Sequence, residues 1–273
     1  MSENPAQQHF QAGRLSEAVA AATEQVRSSP TDVQQRMFLA ELLCFSGEIE
    51  RADNQLDVIV RQNPDAIRVL HFRQVLRAEL ARRQFASEGR TPEFLVEPPE
   101  HLRLQLKAAV HLREGETQAA NELLAQAAEA RPPVRGTVND RPFSDFRDLD
   151  DVSASFFEVL TNTGVWYWVP FEAIDSIEFH EPQAPRDLLW RRASMTVRGG
   201  PDGEVSIPAL YPGSSDAESE DMKLGRGTDW IGDEGGPIRG VGQRMYLVDE
   251  TDLAVLELAR LTFDSADEPK PDE

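Results

Sequence analysis

The sequence predicts an α+β fold, with an α-helical repeat domain at residues 1–133 and a small antiparallel β-rich domain, barrel-like or sandwich-like, at residues 152–263. Two observations support this division. Glycines and prolines recur at a fixed spacing in the first half, whereas the second half alternates short apolar runs with turn residues. Charge also divides the chain, because residues 1–133 carry 15 Lys+Arg and 19 Asp+Glu, and residues 134–273 carry 13 and 29.

The first half is organised by a period of 34 residues. A proline follows a glycine after seventeen residues in three places: Gly13–Pro30, Gly47–Pro64 and Gly115–Pro132. An alanine stands seven residues before each of these glycines, and another stands five residues after it. Glycine reaches the positive φ of a tight turn, and proline ends a helix. The spacing therefore predicts stacked helix–turn–helix pairs and resembles the tetratricopeptide repeat.

The third repeat unit departs from this pattern. Its proline is present as Pro98, but the position that requires glycine is occupied by Ala81. Gly89, Thr91 and Pro92 follow, and all three disfavour a regular helix. We therefore expect the second helix of this unit to be interrupted and the array to be degenerate at this point.

Apolar residues at helical spacing predict seven helices in the first half. Their expected bounds are 5–12, 16–28, 33–45, 48–62, 65–87, 101–113 and 117–131. Cys44 lies on the apolar face of the third helix. We interpret it as a small buried hydrophobic residue rather than a reactive thiol.

The fifth helix carries an excess of basic residues. Arg73 and Arg77 lie four residues apart, so they share one face and repel each other, and Arg68, Arg82 and Arg83 add to the charge. We expect an acidic counterpart, either the acidic second half of the chain or a partner protein. The alternative is a basic face that is simply solvated.

The second half begins with residues 134–151, a polar stretch that we expect to be a linker. Asp148, Asp150 and Asp151 fall within it, and we expect solvated charge there rather than a metal site. The expected strands are 155–160, 165–169, 174–179, 193–198, 205–210 and 244–248, with a last apolar segment at 253–263. The acidic tail, 264–273, is expected to be disordered.

Trp166 and Trp168 alternate along one expected strand and therefore share a face of the sheet. Large aromatic side chains on one face most often pack in a core. The alternative is that they contact the other domain or a partner protein.

Composition excludes several classes of function. A net charge of −20 repels phosphate groups, which argues against nucleic-acid binding. No apolar run reaches the ~18 residues that a membrane span requires, and the N-terminal residues lack the pattern of an export signal. A single cysteine permits no internal disulfide, which fits a reducing compartment, and we expect a cytoplasmic protein.

The sequence contains no recognisable group of catalytic residues. The five histidines are scattered and form no His–x3–His pair, so we predict no catalytic, cofactor or metal site. The segment Gly225–Gly242 is rich in glycine but lacks the lysine ending of a phosphate-binding loop and the third glycine of a dinucleotide fingerprint. We interpret it as a compact loop that holds Trp230 in the fold, with peptide binding as the alternative.

Four strings in the second half are typical of one known family: Asp187–Trp190, Val205–Ser214, Leu224–Trp230 and Gly236–Arg244. Together with the repeats before them, they resemble the ImpE/SciE family, also called TagJ, of accessory proteins of the bacterial type VI secretion system. The resemblance covers nearly the whole chain. It implies a cytoplasmic, non-enzymatic protein that binds the N-terminal helical segment of the small sheath subunit TssB. It also implies an influence on sheath assembly or on sheath recycling by the ClpV ATPase.

These observations lead to the hypothesis of a sheath adaptor that docks a short apolar helix in the groove of its repeats. The expected partner-binding residues are Leu39, Leu43, Phe72, Arg73, Arg77 and Trp230. One alternative is a general helix-binding scaffold or chaperone-like protein outside secretion. A less favoured alternative is an enzyme that uses the segment Gly225–Gly242 beside Trp190 and Arg191.

Overall fold

The computed structural model describes residues 4–232 and 235–265. Within these ranges the first half is helical, as predicted. Its helices are α1 (Pro5–Gln11), α2 (Leu15–Ser28), α3 (Val33–Phe45), α4 (Ile49–Gln62), α5 (Ile67–Glu88), α6 (Glu100–Arg113) and α7 (Thr117–Ala130). None of the helices in this described part of the chain combines the length and hydropathy that crossing a bilayer requires.

The repeat glycines act as predicted at three helix junctions. Gly13, Gly47 and Gly115 have φ values of 80°, 79° and 79° and lie between the two helices of the pairs α1–α2, α3–α4 and α6–α7. A side chain with a Cβ atom is strained at these angles, so glycine is the residue that makes each turn. Pro30 and Pro64 stand two residues beyond the ends of α2 and α4. The predicted helix pairs are confirmed.

Between the second and the last pair, α5 forms one continuous helix of 22 residues. It runs through Ala81, because alanine favours a helix and does not readily adopt the positive φ of a turn. Gly89, with φ of 77°, caps its C-terminal end instead. As expected, the second helix of this unit is interrupted. Residues 89–99 form no helix, and the backbone of Glu93 hydrogen-bonds there to Trp166 and Trp168. In this repeat unit, residues 89–99 therefore contact the β-rich half instead of forming a helix.

The second half is antiparallel and β-rich, as predicted. Its strands are β1 (Gly136–Val138), β2 (Arg141–Phe143), β3 (Phe146–Asp148), β4 (Phe156–Thr161), β5 (Trp166–Pro170), β6 (Ile174–Phe179), β7 (Trp190–Val197), β8 (Asp202–Pro208), β9 (Thr228–Ile231), β10 (Arg239–Gly242), β11 (Met245–Val248), β12 (Thr251–Ala254) and β13 (Arg260–Phe263). A four-residue helix, α8 (Glu220–Lys223), precedes β9.

The strands form one large sheet and two small ones. The large sheet has the order β2-β1-β13-β6-β7-β8-β4-β5, while β12-β11-β3 and β10-β9 form the small sheets. Because β2 and β5 lie at opposite edges and do not pair, the large sheet is open rather than a closed barrel. Phe146 of β3 and Tyr246 of β11 pack onto Phe157 of β4, which joins two of the sheets in one layered, sandwich-like core.

The stretch 134–151, expected to be a linker, contributes strands to two sheets. β1 pairs with β2 and β13, and β3 pairs with β11. Asn139 and Asp140 join β1 to β2 at φ of 48° and 63°, as a two-residue hairpin turn requires. The turn residues that suggested a linker therefore belong to a hairpin of the β-rich half. Of the predicted disordered tail, all but Asp264 and Ser265 lies outside the described residues.

One hydrophobic core joins the helices to a face of the large sheet. Trp166 and Trp168 are both buried on that face, and their rings lie 5.6 and 5.3 Å from the ring of Phe85 in α5. The ring of Trp190 lies 6.1 Å from that of Phe72, also in α5. The paired tryptophans therefore serve both expected roles, since the core that they fill is the contact between the two halves.

Candidate protein-interaction surface

Three of the residues expected to bind a partner lie in the interior. Leu39 and Leu43 of α3 and Phe72 of α5 have relative exposures of 3%, 0% and 4%. Phe72 also lies beneath the guanidinium of Arg186, 5.2 Å from its ring centroid. Cys44, beside Leu43, is buried as predicted. These side chains fill the core shared by the two halves and offer no surface to another protein in this conformation.

The second half of the chain covers the face of the helices where a partner was expected. Arg186 pairs with the buried Glu41 of α3. The Glu220 carboxylate accepts hydrogen bonds from the first two backbone N–H groups of α2, at 2.9 and 2.8 Å, a favourable place for a negative charge. Arg226 donates to the carbonyl oxygen of Phe10 in α1 at 2.7 Å. The second half of the chain thus covers part of the helical surface on which a partner was expected to dock.

Arg73 and Arg77 have different surroundings. Arg73 donates to Asp53 at 2.7 and 2.9 Å and to Asp57 at 3.0 Å. The hydrogen bonds to Asp53 raise the pKa of Arg73 above its usual value, although partial burial acts against them. The acidic counterpart expected for Arg73 therefore lies on α4, in the same half. Arg77 is exposed and donates to Gln74 at 3.3 Å, so it is the member of the pair that is open to a partner.

Arg82 of α5 does reach the acidic second half. Its Nε atom lies 2.9 Å from the carboxylate of Glu158, which also pairs with Arg244. Arg244 donates to Asp148 at 3.2 Å, and all four side chains are buried. Burial opposes the ionisation of Glu158, but Arg82 and Arg244 outweigh it and hold the pKa of Glu158 below its usual value. A buried ion network therefore connects α5 to β4 of the large sheet and to β3 of the sheet β12-β11-β3.

Asp148 and Asp150, at and near the end of β3, are buried and hydrogen-bonded rather than solvated. Asp148 accepts hydrogen bonds from the Tyr211 hydroxyl at 2.8 Å and from Arg244, and burial raises its pKa to about 7. Asp150 accepts from Nε of Arg239 at 2.8 Å and from a backbone N–H of β10 at 3.0 Å. The expectation of solvated charge is wrong here, because arginines about ninety positions further along the chain fold back onto these carboxylates.

Among the described residues, His111, Glu114 and Glu116 are the group close enough together to hold a metal ion. They lie at the turn between α6 and α7, where His111 already contacts Glu116. The group is largely exposed. Solvated acidic side chains often cluster in this way without binding a metal, so we assign no metal site to them.

The segment Gly225–Gly242 contains an exposed β-hairpin, in which β9 pairs with β10. Trp230, Ile231 and Ile238 have relative exposures of 40%, 55% and 52%, and we call the surface that they form the hairpin surface. Trp230 contacts Tyr211, with ring centroids 5.9 Å apart, but it is not enclosed. The expectation that the loop holds Trp230 in the fold is therefore only partly met.

Two grooves adjoin the hairpin surface. The first has a volume of ≈ 710 Å³ and includes Leu149 and Met245 in its lining. The second has a volume of ≈ 580 Å³ and includes Leu112 and Thr117 from the helical half. Exposed apolar side chains beside grooves are characteristic of protein-docking sites, because a partner removes apolar area from water there.

Comparison with known proteins gives a similar division of the chain. The tetratricopeptide repeat family matches residues 9–76, and the ImpE protein family matches residues 140–262. The type VI secretion system accessory component TagJ of Pseudomonas aeruginosa is 33% identical over 263 residues, which cover 96% of this chain and 92% of TagJ. This chain belongs to the ImpE family.

A solved structure shares the whole arrangement of this ImpE-family chain. Protein VPA1032 from Vibrio parahaemolyticus is 28% identical and superimposes with a TM-score of 0.88, covering 95% of this chain and 97% of that one. Agreement at this coverage means that the two halves are placed against each other similarly in both proteins. The ImpE match also begins inside residues 134–151, which agrees with the strands found there.

Ile231 and Ile238 were not predicted from the sequence as members of the exposed surface. In the sequence, the apolar pair Trp230-Ile231 and the apolar residue Ile238 stand on either side of a polar stretch that contains glycine. This pattern is typical of a hairpin. Their exposure could not be read from that pattern, because it depends on which neighbouring elements cover the hairpin.

Proposed function

We propose that this protein is a non-enzymatic, cytoplasmic accessory component of a bacterial type VI secretion system, and that it binds the N-terminal helix of the TssB-like small sheath subunit. This binding modulates sheath assembly or ClpV-dependent sheath recycling. The similarity to TagJ over 96% of this chain supports the accessory role. Helical repeats commonly bind other proteins, which supports a binding role rather than a catalytic one.

The hairpin surface is the docking site that we propose. We choose it because Trp230 is 40% exposed, whereas Leu39, Leu43 and Phe72 are buried. Exposed tryptophans often dominate the energy of a protein interface. An amphipathic helix presents apolar side chains at i, i+3, i+4 and i+7, which suits a groove bordered by exposed apolar side chains. Arg77 remains the alternative contact point, on the helical half.

The alternative of an enzyme placed catalysis in the segment Gly225–Gly242 beside Trp190 and Arg191, and the contacts of these two residues do not support it. Trp190 donates its indole N–H to Glu79 at 3.1 Å, and Arg191 donates to the carbonyl oxygen of Val255 at 2.6 Å. Both side chains are buried and hold elements of the fold together. A general helix-binding scaffold would use the same surface, and the identity of its partner would distinguish it from a sheath adaptor.

The test uses the full-length protein and a labelled peptide with the sequence of the N-terminal helix of TssB from the same bacterium. Fluorescence anisotropy measures the Kd. We expect saturable binding that Trp230→Ala weakens about thirtyfold, the effect of losing an interface side chain worth ~2 kcal/mol. Trp230→Ala also removes the contact with Tyr211, so its Tm is measured to confirm that the variant is folded at the assay temperature. As a matched control, Val96→Ala removes an apolar side chain that is 67% exposed elsewhere and leaves the affinity at its wild-type value.

Three results would count against this assignment. If the wild-type protein fails to bind the peptide, the partner is wrong. If unrelated amphipathic peptides bind equally well, the protein is a general scaffold. If Arg77→Ala weakens binding while Trp230→Ala does not, the docking site lies on α5 instead.

A further inference from the structure

A cavity of ≈ 230 Å³ lies at the junction of the two halves. Its walls come from α5 and α6 on one side and from β4, β5 and the region of β10 and β11 on the other. We infer that this cavity binds a small organic anion with an aromatic or other apolar body, such as an aromatic carboxylate or phosphate monoester. The inference does not rest on the proposed function, because Trp230, Ile231 and Ile238 do not line the cavity, although Leu112 lines both it and the second groove.

The charge of the cavity suits an anion. Four arginines line it, while the lining carboxylates are Asp150 and Glu158, in a chain whose net charge is −20. Asp148, behind Arg244, and Glu79, beside Arg82, supply two further carboxylates. Three of the four arginines, Arg82, Arg239 and Arg244, are therefore paired. Arg113, at the end of α6, differs from the other three arginines, because it makes no hydrogen bond or ion pair with the described residues. An unpaired guanidinium beside a partly desolvated cavity attracts carboxylate and phosphate groups, which it binds with paired N–H donors.

Other residues of the lining suit an apolar body. Phe85, Phe156 and Trp168 contribute their rings, and the ring of Trp168 stacks on that of Phe156 with centroids 4.0 Å apart. Trp168 is only 2% exposed, yet its indole N–H has no acceptor within the described part of the chain. A buried donor without an acceptor is costly, so an acceptor atom on a bound molecule would satisfy it.

The size of the cavity limits its occupant to a small molecule. Its volume, ≈ 230 Å³, lies just below the range of about 300–1,000 Å³ typical of drug-sized ligands and is too small for a peptide helix. Because both halves form the wall, a molecule bound there contacts both. It therefore stabilises their packing and raises the Tm of the full chain.

The experiment measures the Tm of the full-length protein against increasing concentrations of four probes. Phenyl phosphate and benzoate carry both a ring and a charge, whereas inorganic phosphate carries only the charge and phenol only the ring. We expect phenyl phosphate, benzoate or both to raise the Tm in a saturable way, and the two partial probes to have a much smaller effect. The comparison of phenyl phosphate with benzoate identifies the preferred acidic group.

Two variants locate the binding. Arg113→Ala removes an exposed side chain that makes no hydrogen bond or ion pair with the described residues and packs on Gly89. We expect it to weaken binding about tenfold, and its ligand-free Tm is measured as the reference for the shift. Lys107→Ala, which removes an exposed cation from the same helix outside the cavity, leaves binding unchanged. Trp168→Phe keeps a ring but removes the N–H donor, and it also weakens binding; near-UV circular dichroism checks that this variant retains its fold.

The inference is overturned if neither phenyl phosphate nor benzoate shifts the Tm. It is also overturned if inorganic phosphate shifts the Tm as much as phenyl phosphate does, because this is a general salt effect. Unchanged binding in Arg113→Ala overturns it as well. Binding of the TssB peptide, measured without these probes, reports separately on the proposed function.

Discussion

The indole N–H of Trp190 donates a hydrogen bond to the carboxylate of Glu79, 3.1 Å away, across the junction between β7 and α5. Both side chains are buried, and Glu79 also accepts hydrogen bonds from Arg82 and Arg83 of its own helix. A single carboxylate thus connects the sheet to two arginines of the helical half. The two halves are held together by buried polar contacts as well as by their shared apolar core.

Trp190→Phe should destabilise the protein by about 1–3 kcal/mol, because it removes the donor to a buried carboxylate while keeping an aromatic ring. Urea unfolding measures the free energy of unfolding. Trp230→Phe is the matched control, and its effect should stay within about 0.5 kcal/mol because Trp230 is partly exposed. If Glu79→Gln and Trp190→Phe are strictly additive in the double variant, the two side chains are not coupled.

Glu158→Gln should lower the free energy of unfolding by about 3–5 kcal/mol, because it leaves Arg82 and Arg244 buried without a shared counter-charge. The control, Glu204→Gln, removes a carboxylate that pairs with His180 at the surface and should cost less than about 1 kcal/mol. Chemical denaturation of both variants at neutral pH gives the comparison. Equal small effects would show that Glu158 does not act as the centre of the ion network.

His101 should make stability fall as the pH falls from 6.5 towards 4. It is 2% exposed, and burial, with a smaller effect of Arg131, lowers its pKa to about 4. The unfolded chain, with a histidine pKa of about 6.5, therefore binds a proton in this window that the folded chain does not bind. Its contribution is complete above pH 6.5 and is lost on acidification, amounting to about 2 kcal/mol between pH 7 and 5.

The variant His101→Gln should remove this part of the pH dependence, as measured by denaturant unfolding at several pH values. Glu172, 3.3 Å from Nε2 of His101, is retained in this variant, as are the other buried carboxylates. The exposed His71 serves as the control, and His71→Gln should keep the slope of the wild-type protein. An unchanged slope in His101→Gln would mean that another group causes the acid sensitivity.

The sequence predicted the helix pairs because each junction depends on local geometry. Gly13, Gly47 and Gly115 occupy turns that favour glycine, so their spacing reveals the helices directly. The third unit departs from this pattern, as its sequence predicted. Ala81 stands where the period requires glycine, and alanine lacks the conformational freedom to make the turn. The helix α5 therefore continues through it, as predicted for residues 65–87.

The candidate site was less predictable because it depends on contacts between distant parts of the chain. Leu43 and Phe72 have the apolar character of docking residues, and only the packing of the β-rich half shows that they are buried. Asp148 and Asp150 look like surface charges in a polar stretch until Arg244 and Arg239 fold back onto them. Exposure and pairing are properties of the assembled fold, and local sequence patterns do not contain them.

The sequence by itself determined the helical repeats, the antiparallel strands and the family, because periodicity, turn geometry and short motifs are recorded within a few neighbouring residues. Tertiary structure alone decided that Leu39, Leu43 and Phe72 are buried in the core shared by the two halves and that Trp230 remains partly exposed. The physical reason is that burial removes water from two surfaces at once. The surfaces that meet belong to segments more than a hundred residues apart, as with Trp190 and Glu79, and their complementarity decides the packing.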